Sequence, residues 1–332
     1  MLAYVHHLSP FIFEFSPGVG LRWYGMAYVL AFLLGHQLYY RLAKAGYTQM
    51  PPAQVSDFIT WAAVFGVMLG GRVGWILFYG FKENHTDDPW WWPLEVWKGG
   101  MSSHGGILGL VLFTFYWARR HKLSWTSIGD SLCVVAPVGL FVVRCANFIN
   151  GELFGHETKV PWAVQFPTEL FDSRFSAVTS RAFDALEPLQ AVVEKYGGEH
   201  ASWSERIVEA ARHEPQVRAI LANVLTPRHP SQIYEALLEG VLLFLILWLV
   251  RTKCRVPRGV LTGLFFILYA VFRIAGEVFR VPDPAWAVGS FSAGQFLSLF
   301  MLLIGAAFIG WGMWSRHYES ALELKSSGSG NS

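Results

Sequence analysis

The stretch that decides how this chain folds lies at residues 137–155 and reads PVGLFVVRCANFINGELFG. It begins as an apolar run of the kind that crosses a bilayer. It then places Arg144, Asn147, Asn150 and Glu152 where hydrocarbon should continue. A charged side chain inside a membrane span is costly unless it is paired or lines a cavity, so these residues are candidates for function.

Helical spacing groups these polar residues. In a helix, Arg144, Asn147 and Gly151 share one face at i, i+3 and i+7, and Asn150 lies beside them. A cation, two carboxamides and a backbone that can be approached closely together suit an anionic ligand.

The composition indicates a membrane protein. Hydrophobic residues make up 53% of the 332 and charged residues 15%, whereas a soluble domain carries nearer a quarter charged residues. The 15 Trp and 26 Phe residues are typical of a polytopic protein with aromatic belts at the membrane interfaces. We therefore predict an all-α polytopic membrane protein.

Seven apolar runs of about 20 residues are long enough to cross a hydrocarbon core of about 30 Å. They lie near residues 22–40, 57–80, 104–118, 128–149, 232–250, 260–279 and 292–314, and the third is the shortest. The connections on one side of the membrane are basic and contain Arg41, Lys44, Arg119, Arg120, Lys122, Arg251, Lys253, Arg255 and Arg258. The positive-inside rule then predicts an extracytoplasmic N-terminus and a cytoplasmic C-terminus.

The runs divide the chain into four predicted parts. These are a membrane domain at 1–155, an extracytoplasmic head at 156–230, a second membrane part at 231–318 and a cytoplasmic, linker-like tail at 319–332. Residues 181–224 have amphipathic helical spacing that Gly197 and Gly198 interrupt. We expect the head to be a solvated, mainly helical cap rather than an independent binding module.

The second span combines glycines with a cation. Gly66, Gly70 and Gly74 repeat the small-xxx-small pattern and predict a face for close helix packing. For Arg72 two interpretations stand side by side: contact with a ligand, or a side chain that reaches out to the membrane interface.

The third span begins with a histidine between small residues. Ser103 is the expected N-cap, so His104 falls in the first turn, where the helix dipole favours a neutral ring that can act as a general base. A lone interfacial histidine is more often structural. However, Gly105 and Gly106 leave open space beside this one.

The remaining intramembrane polar groups occur as pairs. Glu235 and Glu239 lie one turn apart after Ser231, which is consistent with helix-start chemistry. Arg273 and Glu277 are spaced for an ion pair within one helix, for which a structural role is the alternative.

Arg280 follows near the end of the same span, and Tyr24 opens the first span, where an interfacial belt competes with a site role. Together the spans hold Arg72, Arg144, Arg273 and His104. We interpret them as intramembrane positive charge that favours an anion such as a phosphate, which arginine binds through two hydrogen bonds.

Several catalytic classes lack their signatures. The chain has no Cys/His metal spacing, no glycine-rich nucleotide loop and no Gly-x-Ser-x-Gly elbow. These absences argue against a metalloprotease, an ATPase and a serine hydrolase. We expect neither a metal nor another cofactor.

These motifs together resemble the prolipoprotein diacylglyceryl transferases of bacterial inner membranes. The resemblance rests on LRWYG at 21–25, GGRVG at 70–74, HGG at 104–106, RCANFINGELFG at 144–155, RHPSQIYE at 228–235, FR at 272–273 and EVFR at 277–280. It covers nearly all of the membrane portion. The chain departs from the family pattern at Val143, where the family has glycine, and nothing carries over onto residues 167–225.

The resemblance implies a reaction and a set of site residues. The diacylglyceryl group of phosphatidylglycerol would pass to the lipobox cysteine of a prolipoprotein, leaving a thioether and glycerol phosphate. Arg144 and Arg273 would stabilise the phosphate, and His104 would be the base, with Glu277 or Glu152 as an alternative or an orienting partner. The residues expected to bind substrate are Tyr24, Arg72, Asn147, Asn150, Gly155, Gly105, Gly106 and Arg280.

Two other classes compete with the enzyme. An anion or lipid transporter could use the same arginines as a pathway, but the polar groups concentrate towards one side and internal repeats are absent. A structural membrane scaffold leaves Arg144 and Asn147 unexplained.

Overall fold

A computed structural model describes residues 4–16, 19–80, 91–95, 100–198, 200–282, 287–288 and 291–319. The described chain is mainly helical. In chain order its helices are α1 Trp23–Lys44, α2 Pro52–Phe78, α3 Ser103–His121, α4 Trp125–Asn150, α5 Ser176–Leu186, α6 Gln190–Val193, α7 Trp203–His213, α8 Pro215–Leu221, α9 Ser231–Lys253, α10 Val260–Glu277 and α11 Ala293–Ser315.

A long helix lies at each of the seven predicted runs. Five of them, α2, α4, α9, α10 and residues Ser298–Ser315 of α11, are long and apolar enough to cross a membrane. Helices α1 and α3, with 22 and 19 residues, are less apolar. The first contains His36 and Gln37, and the second ends on Arg119 and Arg120. The helical membrane architecture is confirmed, and the count of seven crossings stays a prediction.

Short strands accompany the helices. Strands β1 Tyr4–Val5, β4 Val164–Gln165 and β5 Pro227–Arg228 form a sheet in the order β1-β4-β5, with β1 parallel and β5 antiparallel to β4. Strands β2 Phe11–Ser16 and β3 Val19–Arg22 pair antiparallel, as do β6 Ala287–Val288 and β7 Phe291–Ser292. The sequence analysis did not predict these strands, because most are too short to show a period of two.

The chain forms two compact units. The first contains Met1–Ala31, Pro137–Phe244 and Ile267–Leu303, and the second contains Phe32–Ala136, Leu245–Phe266 and Ile304–Ser332.

Helices α2 and α3 of the second unit pack through glycines. A Cβ atom on Gly70 would lie 2.6 Å from the carbonyl oxygen of Gly105 and 2.8 Å from the Cα atom of Gly109. A Cβ atom on Gly74 would lie 2.5 Å from the Cα atom of Gly105. Only glycine permits such an approach, so the predicted packing face is confirmed.

Two long helices contain π-helical turns, at Ala62–Met68 in α2 and at Ala236–Leu242 in α9. Such turns are frequent at functional sites. The second contains Glu239, which is fully buried.

The head, in the first unit, has a hydrophobic core of its own. Its buried residues include Ile207, Ala211 and Leu221, and Val5 from β1 joins them. The predicted helical spacing and its interruption are confirmed. Gly197 lies between α6 and α7 with φ at +81°, a conformation that favours glycine.

Candidate active site

Six charged residues of the first unit form one cluster, which we call the arginine–glutamate cluster. Its members are Arg144 on α4, Glu235 and Glu239 on α9, Arg273 and Glu277 on α10, and Arg280 three residues beyond α10.

Arg144 contacts both glutamates of α9. Its Nη1 atom lies 2.9 Å from Oε2 of Glu235. Its Nη2 and Nε atoms donate to Oε2 of Glu239 over 2.9 and 3.3 Å. Both glutamates are fully buried, and the Arg144 side chain is 13% exposed. The contact is therefore a largely desolvated ion pair.

Glu235 also contacts the other two arginines. Arg273 donates from Nη1 to its Oε1 atom over 3.0 Å, and Nη1 of Arg280 lies 3.5 Å from the same oxygen. Nη2 of Arg273 lies 3.5 Å from Oε1 of Glu277, so the predicted intrahelical pair is present. Glu235 thus holds three arginines from different parts of the chain.

The cluster contains as many carboxylates as arginines. The expectation of excess positive charge is therefore wrong for this part of the molecule. Helix-start chemistry, which we expect to explain part of this run, does not explain Glu235 and Glu239, because their side chains contact the arginines. Two acids one turn apart inside an apolar run were the signal that could have identified them. A guanidinium has five N–H donors, so an arginine paired in this way can still bind a phosphate.

A second polar group surrounds Glu152. The Nδ2 atoms of Asn147 and Asn150 donate to its Oε1 atom over 2.6 and 3.4 Å. Asn147 is buried, whereas Glu152 is exposed. The predicted grouping of the two carboxamides is confirmed, and they orient an accessible carboxylate.

Gly155 is surrounded by backbone. A Cβ atom there would lie 2.4 Å from the carbonyl oxygen of Phe279 and 2.7 Å from the Cβ atom of His229. The Gly155 amide donates to the His229 carbonyl over 2.9 Å, and the His156 amide donates to the Phe279 carbonyl over 2.8 Å. The need for glycine here is explained by chain packing, so a contact with substrate stays a prediction.

A buried ion pair in the head supports this backbone. Nε of Arg228 donates to Oε2 of Glu169 over 2.7 Å, and the guanidinium lies 4.1 Å from the ring centre of Phe175. Burial raises the pKa of Glu169, although the Thr226 amide and Arg228 oppose the shift. The sequence analysis missed Glu169, because it lies in the segment onto which no family motif carries over.

Arg72, in the second unit, is held by loop carbonyls. Its Nε, Nη2 and Nη1 atoms donate to the carbonyl oxygens of Pro93, Trp92 and Gly100 over 2.7, 2.8 and 3.1 Å. Its guanidinium also lies 4.7 Å from the ring centre of Trp75. The side chain is buried. These contacts give it a structural role, and its role in substrate binding stays a prediction.

His104 is exposed in the first turn of α3, as predicted. The expected N-cap is wrong by one residue, because the Ser102 hydroxyl accepts from the Gly105 amide over 3.2 Å. Gly105 packs against Gly70, while a Cβ atom on Gly106 would make an ordinary contact at 3.4 Å. All of these residues belong to the second unit.

Tyr24 lies at the start of α1 in the first unit. Its ring packs edge-on against that of Tyr28, with 5.4 Å between the centroids, and it is half-buried. Within the described ranges, no group of three or more His, Cys, Asp and Glu residues could hold a metal ion.

Comparison with known proteins identifies the family. The family model described as prolipoprotein diacylglyceryl transferase matches residues 10–311. Three relatives carry the name phosphatidylglycerol–prolipoprotein diacylglyceryl transferase. That of Bdellovibrio bacteriovorus is 36% identical over 91% of this chain and 92% of its own. That of Serratia proteamaculans is 38% identical over 91% of this chain and 92% of its own. That of Coxiella burnetii is 34% identical over 96% of this chain and 100% of its own. The chain therefore belongs to the prolipoprotein diacylglyceryl transferase family.

Proposed function

We propose that the protein transfers the sn-1,2-diacylglyceryl group of phosphatidylglycerol to the thiol of a prolipoprotein's lipobox cysteine. The names of the relatives support both substrates. The observation that carries the proposal is the meeting of Arg144, Arg273 and Arg280 around Glu235. A group of arginines beside an apolar environment suits a lipid with an anionic headgroup.

The chemistry follows from the donor. The thiolate sulfur attacks the glycerol carbon that carries the phosphate, a carbon–sulfur bond forms, and the carbon–oxygen bond to phosphate breaks. Negative charge grows on the departing glycerol phosphate. Arg144 and Arg273 stabilise that charge, and the glutamates hold their guanidinium groups in place before the reaction, which is the condition for effective electrostatic catalysis.

The thiol must lose its proton before it attacks. His104 is our proposed base, because it lies exposed in the first turn of α3 and an imidazole is the side chain most often used as a general base. Glu277 and Glu152 are the alternatives or the orienting partners. Glu152 is accessible and is held by two carboxamides.

The remaining site residues bind and align the substrates. Tyr24, Asn147 and Asn150 position the headgroup by hydrogen bonds, and Arg280 adds positive charge to the arginine–glutamate cluster. Gly105, Gly106 and Gly155 let substrate approach the backbone closely, and Arg72 is a further substrate-binding residue.

We further propose that seven helices cross the bacterial inner membrane. The basic connections then face the cytoplasm, the N-terminus and the head at 156–230 are extracytoplasmic, and so is the active site. Five helices already meet the length and apolarity of a span. The prolipoprotein's signal segment would approach within the same membrane.

The transporter alternative is not supported. The relatives carry the name of a transferase over nearly their whole lengths. Arg144, Arg273 and Arg280 are paired with glutamates within one cluster.

A transfer assay tests the function. Purified protein in detergent is mixed with phosphatidylglycerol and a lipobox peptide, and mass spectrometry follows the peptide and the released glycerol phosphate. We expect one diacylglyceryl adduct per peptide, in step with glycerol phosphate release. The matched peptide with Ser in place of Cys should give none. Folded protein that binds the lipid but forms no adduct contradicts the proposal.

A further inference from the structure

The second unit contains a cleft whose lining residues have no part in the proposed transfer reaction. Its volume is about 520 Å³, and it lies where α3 ends and α4 begins. Arg119 and Lys122 supply its charge, Ser124 and Thr126 its hydroxyls, and Phe115, Trp125 and Trp311 its aromatic rings. None of these residues belongs to the arginine–glutamate cluster.

The charge of the cleft is positive and unopposed. No acidic residue lines it, and neither Arg119 nor Lys122 has a carboxylate partner among the residues the structure describes. The Arg119 guanidinium lies 5.0 Å from the ring centre of Phe115, which keeps it beside the cleft. Lys122 directly follows the last residue of α3 and has the left-handed conformation, with φ at 56°. Two exposed cations therefore stand at one opening.

The rest of the lining is suited to a molecule that is polar at one end and apolar at the other. The hydroxyls of Ser124 and Thr126 lie 2.9 Å apart. The Trp125 indole N–H donates to the Thr114 hydroxyl over 3.0 Å, so its ring presents apolar surface. Trp311 is 43% exposed. Tryptophan with this division of surfaces is typical of the membrane–water boundary.

We infer that this cleft binds the phosphate headgroup of an anionic phospholipid, at a site separate from the donor site of the transfer reaction. Arg119 and Lys122 bind the phosphate, the hydroxyls bind its oxygens, and the rings of Trp125 and Trp311 contact the glycerol and the first acyl carbons. A soluble phosphate would use the cations alone and would gain nothing from the rings. The inference depends on the membrane character of the protein and not on the proposed transfer chemistry.

Lipid titration with native mass spectrometry tests the inference. Delipidated protein is titrated with phosphatidylglycerol, with phosphatidylcholine and with soluble glycerol phosphate. The test variant carries Arg119→Gln and Lys122→Gln. The matched control carries Arg120→Gln and Lys44→Gln, which remove two exposed cations outside the cleft. Each cation near the headgroups contributes about 1 kcal/mol, so the test variant should bind one phosphatidylglycerol roughly 30-fold more weakly.

We expect the control variant to bind like the wild type and phosphatidylcholine not to fill the site. Both variants should transfer the diacylglyceryl group at the wild-type rate under saturating donor, which separates this site from the proposed function. If both variants lost the same affinity for phosphatidylglycerol, the effect would be one of general surface charge, and the proposed site would be overturned. Displacement by glycerol phosphate as effective as by the lipid would overturn the assignment to a phospholipid.

Discussion

Glu235→Gln is the substitution that tests the arrangement of the arginine–glutamate cluster. Glutamine keeps the size of the side chain and removes its charge. In the native protein the carboxylate lies 2.9 Å from Arg144, 3.0 Å from Arg273 and 3.5 Å from Arg280. All three guanidinium groups therefore lose a partner at once. Arg144 keeps its contact with Glu239.

The size of the effect follows from burial. Breaking a buried ion pair by removing one partner costs about 3–5 kcal/mol. The Arg144 and Arg273 side chains are 13% and 16% exposed and Glu239 remains beside both, so we expect the lower end, about 3 kcal/mol. If that energy is lost from the alignment of the arginines in the transition state, transfer slows by roughly 150-fold.

The assay measures kcat and KM for phosphatidylglycerol with a lipobox peptide, alongside thermal unfolding in the same detergent. Glu187→Gln, which removes an exposed carboxylate in the head, is the matched control and should behave like the wild type. The expected result is a large loss in kcat in protein that is still folded at the assay temperature. A folded Glu235→Gln variant with wild-type kcat would refute the positioning role of the glutamate.

Three further predictions concern stability. Gly105→Ala forces a methyl group to within 2.4 Å of the Gly70 carbonyl and should cost about 1–3 kcal/mol. Gly35→Ala, with nothing within 4 Å, should be neutral or stabilising in the same thermal melts. Glu169→Ala leaves the Arg228 charge buried and should lower the unfolding free energy by about 3–5 kcal/mol; a melt like the wild type's would contradict the importance of this pair. Burial lowers the pKa of His6 to about 4, so the unfolded chain takes up the proton first. The contribution of the neutral His6 ring to the unfolding free energy is therefore complete above pH ~6.5. It declines as the pH falls towards 4, and about 2 kcal/mol is lost at pH 5. The His6→Asn variant should not show this loss when thermal melts at pH 7.5 and pH 5 are compared. An identical pH dependence in the variant and the wild type would contradict the prediction.

The sequence predicted the helical architecture well, because a membrane span must be a long apolar run and every such run forms a helix. It also predicted the close packing of α2 and α3, since glycine repeats of this spacing have few other uses in a span. The strands were not predicted, because a pair such as Tyr4–Val5 acquires its partner only from distant residues.

The site was predicted in part. Motif spacing identified Arg144, Arg273 and Glu277, but not the role of Glu235, whose three arginine contacts come from separate helices and a loop. Glu235 follows Ser231, the expected N-cap, so the sequence supports a local explanation for this glutamate. Its burial is visible only in the tertiary structure. Glu169 was missed because no family motif carries over onto its segment. Its importance depends on Arg228, 59 positions away in sequence.

The most direct test of the account is the effect of Arg144→Ala on donor binding and transfer. The account predicts that the variant, folded as judged by its melt, binds phosphatidylglycerol more weakly and forms almost no adduct on a lipobox peptide, even at saturating lipid. The Arg120→Gln variant, which removes an exposed cation outside the arginine–glutamate cluster, should retain wild-type donor binding and rate. An Arg144→Ala enzyme with unchanged donor binding and turnover would contradict the central claim that the arginine–glutamate cluster holds the phosphate of the donor.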